Sequence, residues 1–266
     1  MPESIALLRT VEVTRYVTPL REGGSLPALV EADDGFMYVV KFRGAGQGIK
    51  ALIAELVVGE LARVLGLRVP ELVFCQLDEA FGRSEPDEEI QDLLRASTGQ
   101  NLGLHYLGGA ITFDALVTTI EPRLASQIVW LDALTLNVDR TARNTNLLMW
   151  HKELWLIDHG AALYVHHAGP GWAAPRPRPF PQVKDHVLLP QASELREVDA
   201  EYRAQLTPEV LAAILALVPD AWLEEAAAGD ATAQEQRQSY VQFLLHRLAA
   251  SENFVQEAED ARKVLV

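Results

Sequence analysis

The sequence predicts an α+β chain in two lobes, the first strand-rich and antiparallel, the second mainly helical. Residues 10–18 (T-V-E-V-T-R-Y-V-T) alternate apolar and polar side chains, and two more β-rich runs follow, joined by the hairpin signal Asp33-Asp34-Gly35. Two later stretches, Ile49 to Leu65 and Leu124 to Val138, carry apolar residues at helical spacing. Between them Gly108-Gly109 offers a flexible joint, so the expected division is residues 1–107 and residues 108–266.

A chain of 266 residues with 49% hydrophobic content can bury a large core. Its one cysteine, Cys75, excludes an internal disulfide framework and a Cys-based zinc cluster, and its apolar setting V-F-C-Q-L points to packing. No apolar run reaches membrane-spanning length and no secretory leader is evident, so the expected location is the cytoplasm. The net charge of −14 argues against direct nucleic-acid binding. It is unevenly spread: residues 1–75 sum to −1, 76–130 to −6, 131–190 to +1 and 191–266 to −8. The single positive quarter suits a polyanionic ligand such as a nucleotide.

After the first strand, Pro19 to Ser25 forms a loop containing Gly23 and Gly24, and Ala28 to Ala32 is strand-like. Phe36 to Phe42 completes three consecutive antiparallel strands. A glycine-rich link, Gly44 to Gly48, leads into the first helix, whose apolar positions lie on one broad face with Glu60 as its polar member; Gly66 ends it. Val69 to Leu77 is a further strand. Asp78 to Gly103 is acidic and irregular apart from a short helix at Glu88 to Arg95, and Leu104 to Leu107 is strand-like. Pro122 opens the second helix, with Leu124, Ile128, Leu131, Leu134 and Val138 on its buried face. Two short strands, Asn146 to Trp150 and Leu154 to Ile157, flank His151-Lys152-Glu153, and residues 164–190 form a long loop. Helices resume at Thr207-Pro208, at Thr232 with a Thr232/Glu235 capping box, and near Ser251.

The stretch Asp139 to Gly160 carries the chemistry. Asp139 leaves a helix for a loop, where its carboxylate can accept a hydroxyl proton or orient an acceptor. Asn144, five residues on, can ligate a metal through its amide oxygen, with Asn146 as its rival. Asp158 ends a strand in I-D-H-G and can bridge magnesium to phosphates. Magnesium takes few protein ligands and leaves the rest to water and phosphate, which one Asn and one Asp satisfy. Lys41 interrupts the apolar strand Tyr38 to Phe42 and needs a partner if buried. Glu55 in the following helix is the expected one, and Glu60 the competitor. Each residue alone has an ordinary explanation, as a turn residue, a cap or a surface lysine; it is the order of contexts that points to phosphoryl transfer.

The segments V-V-K-F, A-E-L-V-V-G-E-L-A-R-V-L-G-L-R-V-P-E, D-R-T-A-R-N-T-N-L-L and L-I-D-H-G resemble the HipA-like kinase family, from about Thr10 to Leu188. The resemblance implies a two-lobed protein-kinase-like fold and an ATP- and Mg2+-dependent phosphotransferase, acting on a protein or small-molecule hydroxyl. It also implies roles for individual residues. Lys41 contacts the ATP phosphates and pairs with Glu55, while Gly23, Gly24 and Ser25 cover the phosphates. Asp139 is the catalytic aspartate, and Asn144 and Asp158 are the magnesium ligands. Thr141 stands where many relatives have histidine, and His159 where protein kinases have phenylalanine.

Three other readings compete. A kinase-like module could bind nucleotide without turnover. A dinucleotide-binding oxidoreductase would use Phe36 to Phe42, Gly44, Gly46 and Gly48 as its turn and Asp78 as its ribose acid, although the third glycine of the fingerprint falls at Ile49. A metal site could form from His166, His167 and His186. Arg176, Arg178 and Lys184 in the same loop could meet an acidic or phosphorylated acceptor.

Overall fold

Strand β1, Thr10–Pro19, buries Val11 and Val13 and exposes Thr10, Glu12 and Thr14, as its alternation predicts. The computed structural model describes residues 5–20, 26–81, 87–175, 179–227 and 229–265; the expected phosphate-covering Gly23, Gly24 and Ser25, and Arg176 and Arg178, lie outside these. β1 pairs antiparallel with β2, Ala28–Ala32, which pairs antiparallel with β3, Met37–Lys41. Gly35 turns the β2–β3 hairpin at φ +79°, a conformation glycine takes without steric cost. β3 then pairs antiparallel with β5, Gly99–His105, and β5 with β4, Leu72–Leu77.

The ring closes through a parallel pairing of β1 with β4, Thr10 opposite Phe74, giving a barrel of order β1-β2-β3-β5-β4. This corrects the purely antiparallel expectation. It also removes the dinucleotide-binding reading, because β3 and β4 are separated by β5 rather than paired in parallel. The barrel interior holds Val11, Val30, Tyr38, Val40, Val73 and Cys75, with Ile90 and Leu94 of α2 (Glu88–Ala96) packed against it. Burial pushes the Cys75 thiol up to about 12, so it is a packing residue.

Helix α1, Gly48–Val64, is buried on all sides: every residue from Ala51 to Ala62 is buried, Glu55 and Glu60 included. The expected single broad face is therefore too narrow, since α1 lies in the main core with the C-terminal helices. α3, Pro122–Thr135, ends at Leu136 in the left-handed conformation, φ +57°. That break takes Val138 out of helical phase; it is exposed, not buried. A three-stranded sheet, β6 (Ile111–Thr112), β7 (Leu147–Trp150) and β8 (Glu153–Leu156), follows the order β6-β7-β8.

Residues 164–190 are less loose than their composition suggests. They contain 3-10 turns at Tyr164–His167, Pro181–Asp185 and Leu189–Gln191 and bury Phe180, Val183, Leu188 and Leu189. Helices α4 (Leu195–Gln205), α5 (Pro208–Ala216), α6 (Asp220–Ala226), α7 (Ala233–Ala249) and α8 (Ser251–Leu265) complete the chain. Thr207 caps α5, and the Thr232/Glu235 capping box opens α7 as expected. Among the described residues no helix is long and apolar enough to cross a membrane.

Candidate active site

Three elements distant in sequence bring three charges together. Lys41 ends β3 inside the barrel wall, Glu55 sits mid-way along the buried α1, and Asp158 follows β8. The Lys41 Nζ donates to Glu55 Oε2 at 2.7 Å and to Asp158 Oδ1 at 2.5 Å. Glu55 is fully buried, and its Oε2 also accepts the His159 main-chain N–H at 2.6 Å. One carboxylate thus fixes both the lysine and the backbone after Asp158. Glu60 turns elsewhere and pairs with Arg63.

The electrostatics follow from this packing. Burial works against the charge of Lys41, but the Glu55 and Asp158 carboxylates outweigh it and hold the ammonium above its ordinary value. Burial likewise works to raise Asp158, and the Lys41 charge outweighs it, so this carboxyl stays below its usual range. Glu55 is pushed up by its burial, with Lys41 opposing.

The Asp139 loop leaves α3 through Leu136 and returns into β7. Asp139 Oδ2 accepts from Asn144 Nδ2 at 2.8 Å and from Asn146 Nδ2 at 3.1 Å. Both asparagines therefore spend their N–H groups on Asp139 and keep their amide oxygens free. Asn144 is exposed; Asn146 is buried, and its Nδ2 also lies 3.5 Å from the Asp158 carbonyl. Asn146 and Asp158 both hold positive φ, +48° and +55°, which Asn and Asp tolerate better than most residues. The Asp158 side chain is 44% exposed, and its carboxyl also takes a hydrogen bond from the Gly160 main chain.

Beneath this loop lies a buried polar network in which Asp132, Asn137 and Arg140 were not anticipated from the sequence. Asp132 of α3, fully buried, accepts from Arg140 Nε at 2.5 Å, from Asn137 Nδ2 at 2.9 Å and from His186 Nε2 at 3.0 Å. Asn137 Oδ1 in turn accepts the Asp139 main-chain N–H at 3.2 Å. Arg140 also donates to the Asn146 carbonyl and, at 3.3 Å, reaches His159 Nδ1. Burial, then the Arg140 charge, pushes the His159 imidazole down to about 3, so the ring is neutral. The available signal was Asp132 itself, an acid on the apolar face of a core helix.

Thr141 pairs with His186 through a backbone bridge, which fastens the 164–190 segment to the Asp139 loop. His186 serves Asp132 while His166 contacts Tyr240 at 2.9 Å. The histidine metal site, a competing reading of the sequence, does not form, and among the described residues no group of three or more His, Cys, Asp or Glu side chains is placed to hold a metal. Lys184 is exposed. A groove of about 770 Å³ between Ile5 to Arg9, the end of α1 and the α4–α5 junction shares no residue with the Lys41 cluster.

A model of the HipA-like kinase family matches residues 12–258, nearly the whole chain. The protein belongs to the HipA-like kinase family. Its fold is similar to that of CtkA, a proinflammatory kinase of Helicobacter pylori, with a TM-score of 0.56 at 13% identity over 97% of this chain and 100% of that one. Two structures of the Golgi casein kinase, one with Mn/ADP bound, match at TM-scores of 0.44 and 0.43 and 12% identity. They cover 91% and 92% of this chain and 73% and 72% of theirs. Among curated proteins no sequence matches. Membership of this family supports a kinase-type function.

Proposed function

We propose that this protein is an ATP- and Mg2+-dependent phosphotransferase that moves the γ-phosphate to a hydroxyl of a protein or small molecule. In this reading residues 1–107 and 108–266 act as two lobes with the nucleotide between them. The observation that carries it is Lys41 Nζ held between the Glu55 and Asp158 carboxylates, beside an Asp139 gripped by two asparagine amides. Phosphoryl transfer asks a protein chiefly to position charge, and this cluster is a set of positioned charges.

Lys41 is the phosphate-binding cation, kept protonated by its two carboxylates and oriented by Glu55. Gly23, Gly24 and Ser25 would cover the phosphates with backbone N–H groups. Asp139 accepts the hydrogen bond of the acceptor hydroxyl and orients it, its own carboxylate steadied by Asn144 and Asn146. Asp158 and Asn144 would hold magnesium, with Asn146 able to replace or join Asn144. The donors suit that ion, since these side chains offer carboxylate and amide oxygens with no sulfur or imidazole among them. When bound, magnesium would supply charge neutralisation at the phosphates.

Asp139→Asn should lower ADP formation by about 10²- to 10⁴-fold, the range for a lost general base. Asp158→Asn should abolish metal-dependent turnover. Both should keep the wild-type circular dichroism, because neither side chain is in the core. Full activity in both variants would end the proposal.

A further inference from the structure

We propose that Arg140 and His159 are a positioning pair that sets the geometry of the two metal-binding segments. The inference rests on the reading under Proposed function in which Asp158 holds the metal and Asn146 replaces or joins Asn144. Arg140 directly follows Asp139, yet its side chain turns inward and is completely buried. Its three nitrogens go to three different segments: Nε to Asp132 of α3, Nη1 to the main-chain oxygen of Asn146, and Nη2 to His159 Nδ1. Those last two contacts reach the two segments that carry the oxygen donors. One is on Asn146 itself, and the other is on the residue next to Asp158.

Both donor residues need such support. Asn146 and Asp158 hold left-handed torsions that the backbone does not choose unaided. Asn146 is held through its carbonyl. Asp158 is held from its next residue, where His159 is pinned twice, by its N–H to Glu55 Oε2 at 2.6 Å and by its ring to Arg140. Only a planar fork can reach two such acceptors at once while its Nε binds a third, which a lysine cannot do.

The choice of imidazole supports the assignment. His159 is 1% exposed and its Nε2 has no hydrogen-bond partner. A phenylalanine would fill the same space without burying an unsatisfied nitrogen. What the imidazole supplies that phenylalanine lacks is Nδ1, an acceptor for Arg140. The role of His159 is therefore to take that hydrogen bond rather than to touch substrate.

The test measures binding of Mn2+, by electron paramagnetic resonance, to the full chain saturated with a non-hydrolysable ATP analogue. His159→Phe and Arg140→Lys should each weaken manganese binding by about 10- to 100-fold, the range for residues that orient metal ligands. His159→Asn, whose amide oxygen can take the place of Nδ1, should stay within about threefold of wild type. Affinity for the analogue without metal should be unchanged in all three, which general loosening of the fold would not spare. If Arg140→Lys fails to fold, the two His159 variants carry the comparison alone. Asp158→Asn is the control. If it loses manganese while His159→Phe and Arg140→Lys bind as wild type, the positioning claim is overturned alone. It is overturned as well if His159→Asn loses as much as His159→Phe. If Asp158→Asn binds manganese like wild type, the metal assignment falls and the positioning claim with it.

Discussion

Asp132 shows how a buried charge is made tolerable. Its carboxylate is out of water but has Arg140, Asn137 and His186 as donors, and the Arg140 charge holds it well below its ordinary value of 3.8 against the opposing effect of burial. The linkage has a definite sign. A carboxyl depressed in the folded state contributes stability above its unfolded value, and that contribution is lost as the pH falls through the folded value. Asp132→Asn should therefore cost about 3–5 kcal/mol at neutral pH, because it leaves Arg140 buried without its counter-ion. The gap between variant and wild type should narrow as the pH drops below about 3.8. Denaturant midpoints measured from pH 6 downward check both statements; a gap that stays constant with pH would contradict them. Residues of this kind were hard to read from the sequence. Lys41, Glu55 and Asp158 follow a strand–helix–strand order that a reader can trace. His186 meets Asp132 across 54 positions, and nothing in the spacing of a proline-rich segment announces that pairing.

At the scale of elements, local pattern was legible and long-range pairing was not. The β2–β3 hairpin, the start of α1 and the capped start of α7 all carry their signals within a few residues. β5 does not: G-Q-N-L-G-L-H has two glycines and no β-branched residue, and it is a strand because β3 and β4 lie on either side of it. α4 was likewise missed, since only Leu195, Val198, Asp199 and Tyr202 of its 11 residues are buried. The glycines of β5 have a physical purpose. A Cβ on Gly103 would stand 2.4 Å from Cys75 Sγ and 3.1 Å from Val73 Cγ2, so the barrel closes only around a residue without a side chain. Gly103→Ala should destabilise the protein by about 1–3 kcal/mol through overpacking. Pairing it with Cys75→Ala should recover part of that loss in thermal denaturation; an unchanged melting temperature for Gly103→Ala alone would show that the barrel yields easily.

For the whole molecule, the arrangement of parts matters more than any one of them. α1 belongs to the helical core yet carries the glutamate that holds a lysine from the barrel, so the barrel and the helical array share one buried ion pair. The one positive quarter of the acidic chain, residues 131–190, contains the Asp139 loop, which supports the proposed triphosphate ligand. The expectation of a HipA-like kinase followed from these scattered positions, whereas closure of the sheet by the parallel β1–β4 pairing did not, since register between distant strands leaves no local trace. On the proposed reading this cluster transfers phosphate rather than only binding nucleotide. The most direct measurement is ADP release from ATP by the wild-type chain with and without magnesium, alongside its melting temperature with ATP. Magnesium-dependent ADP formation, lost in Asp139→Asn, is the predicted result. Stabilisation by ATP with no ADP formed would contradict it and leave a nucleotide-binding module.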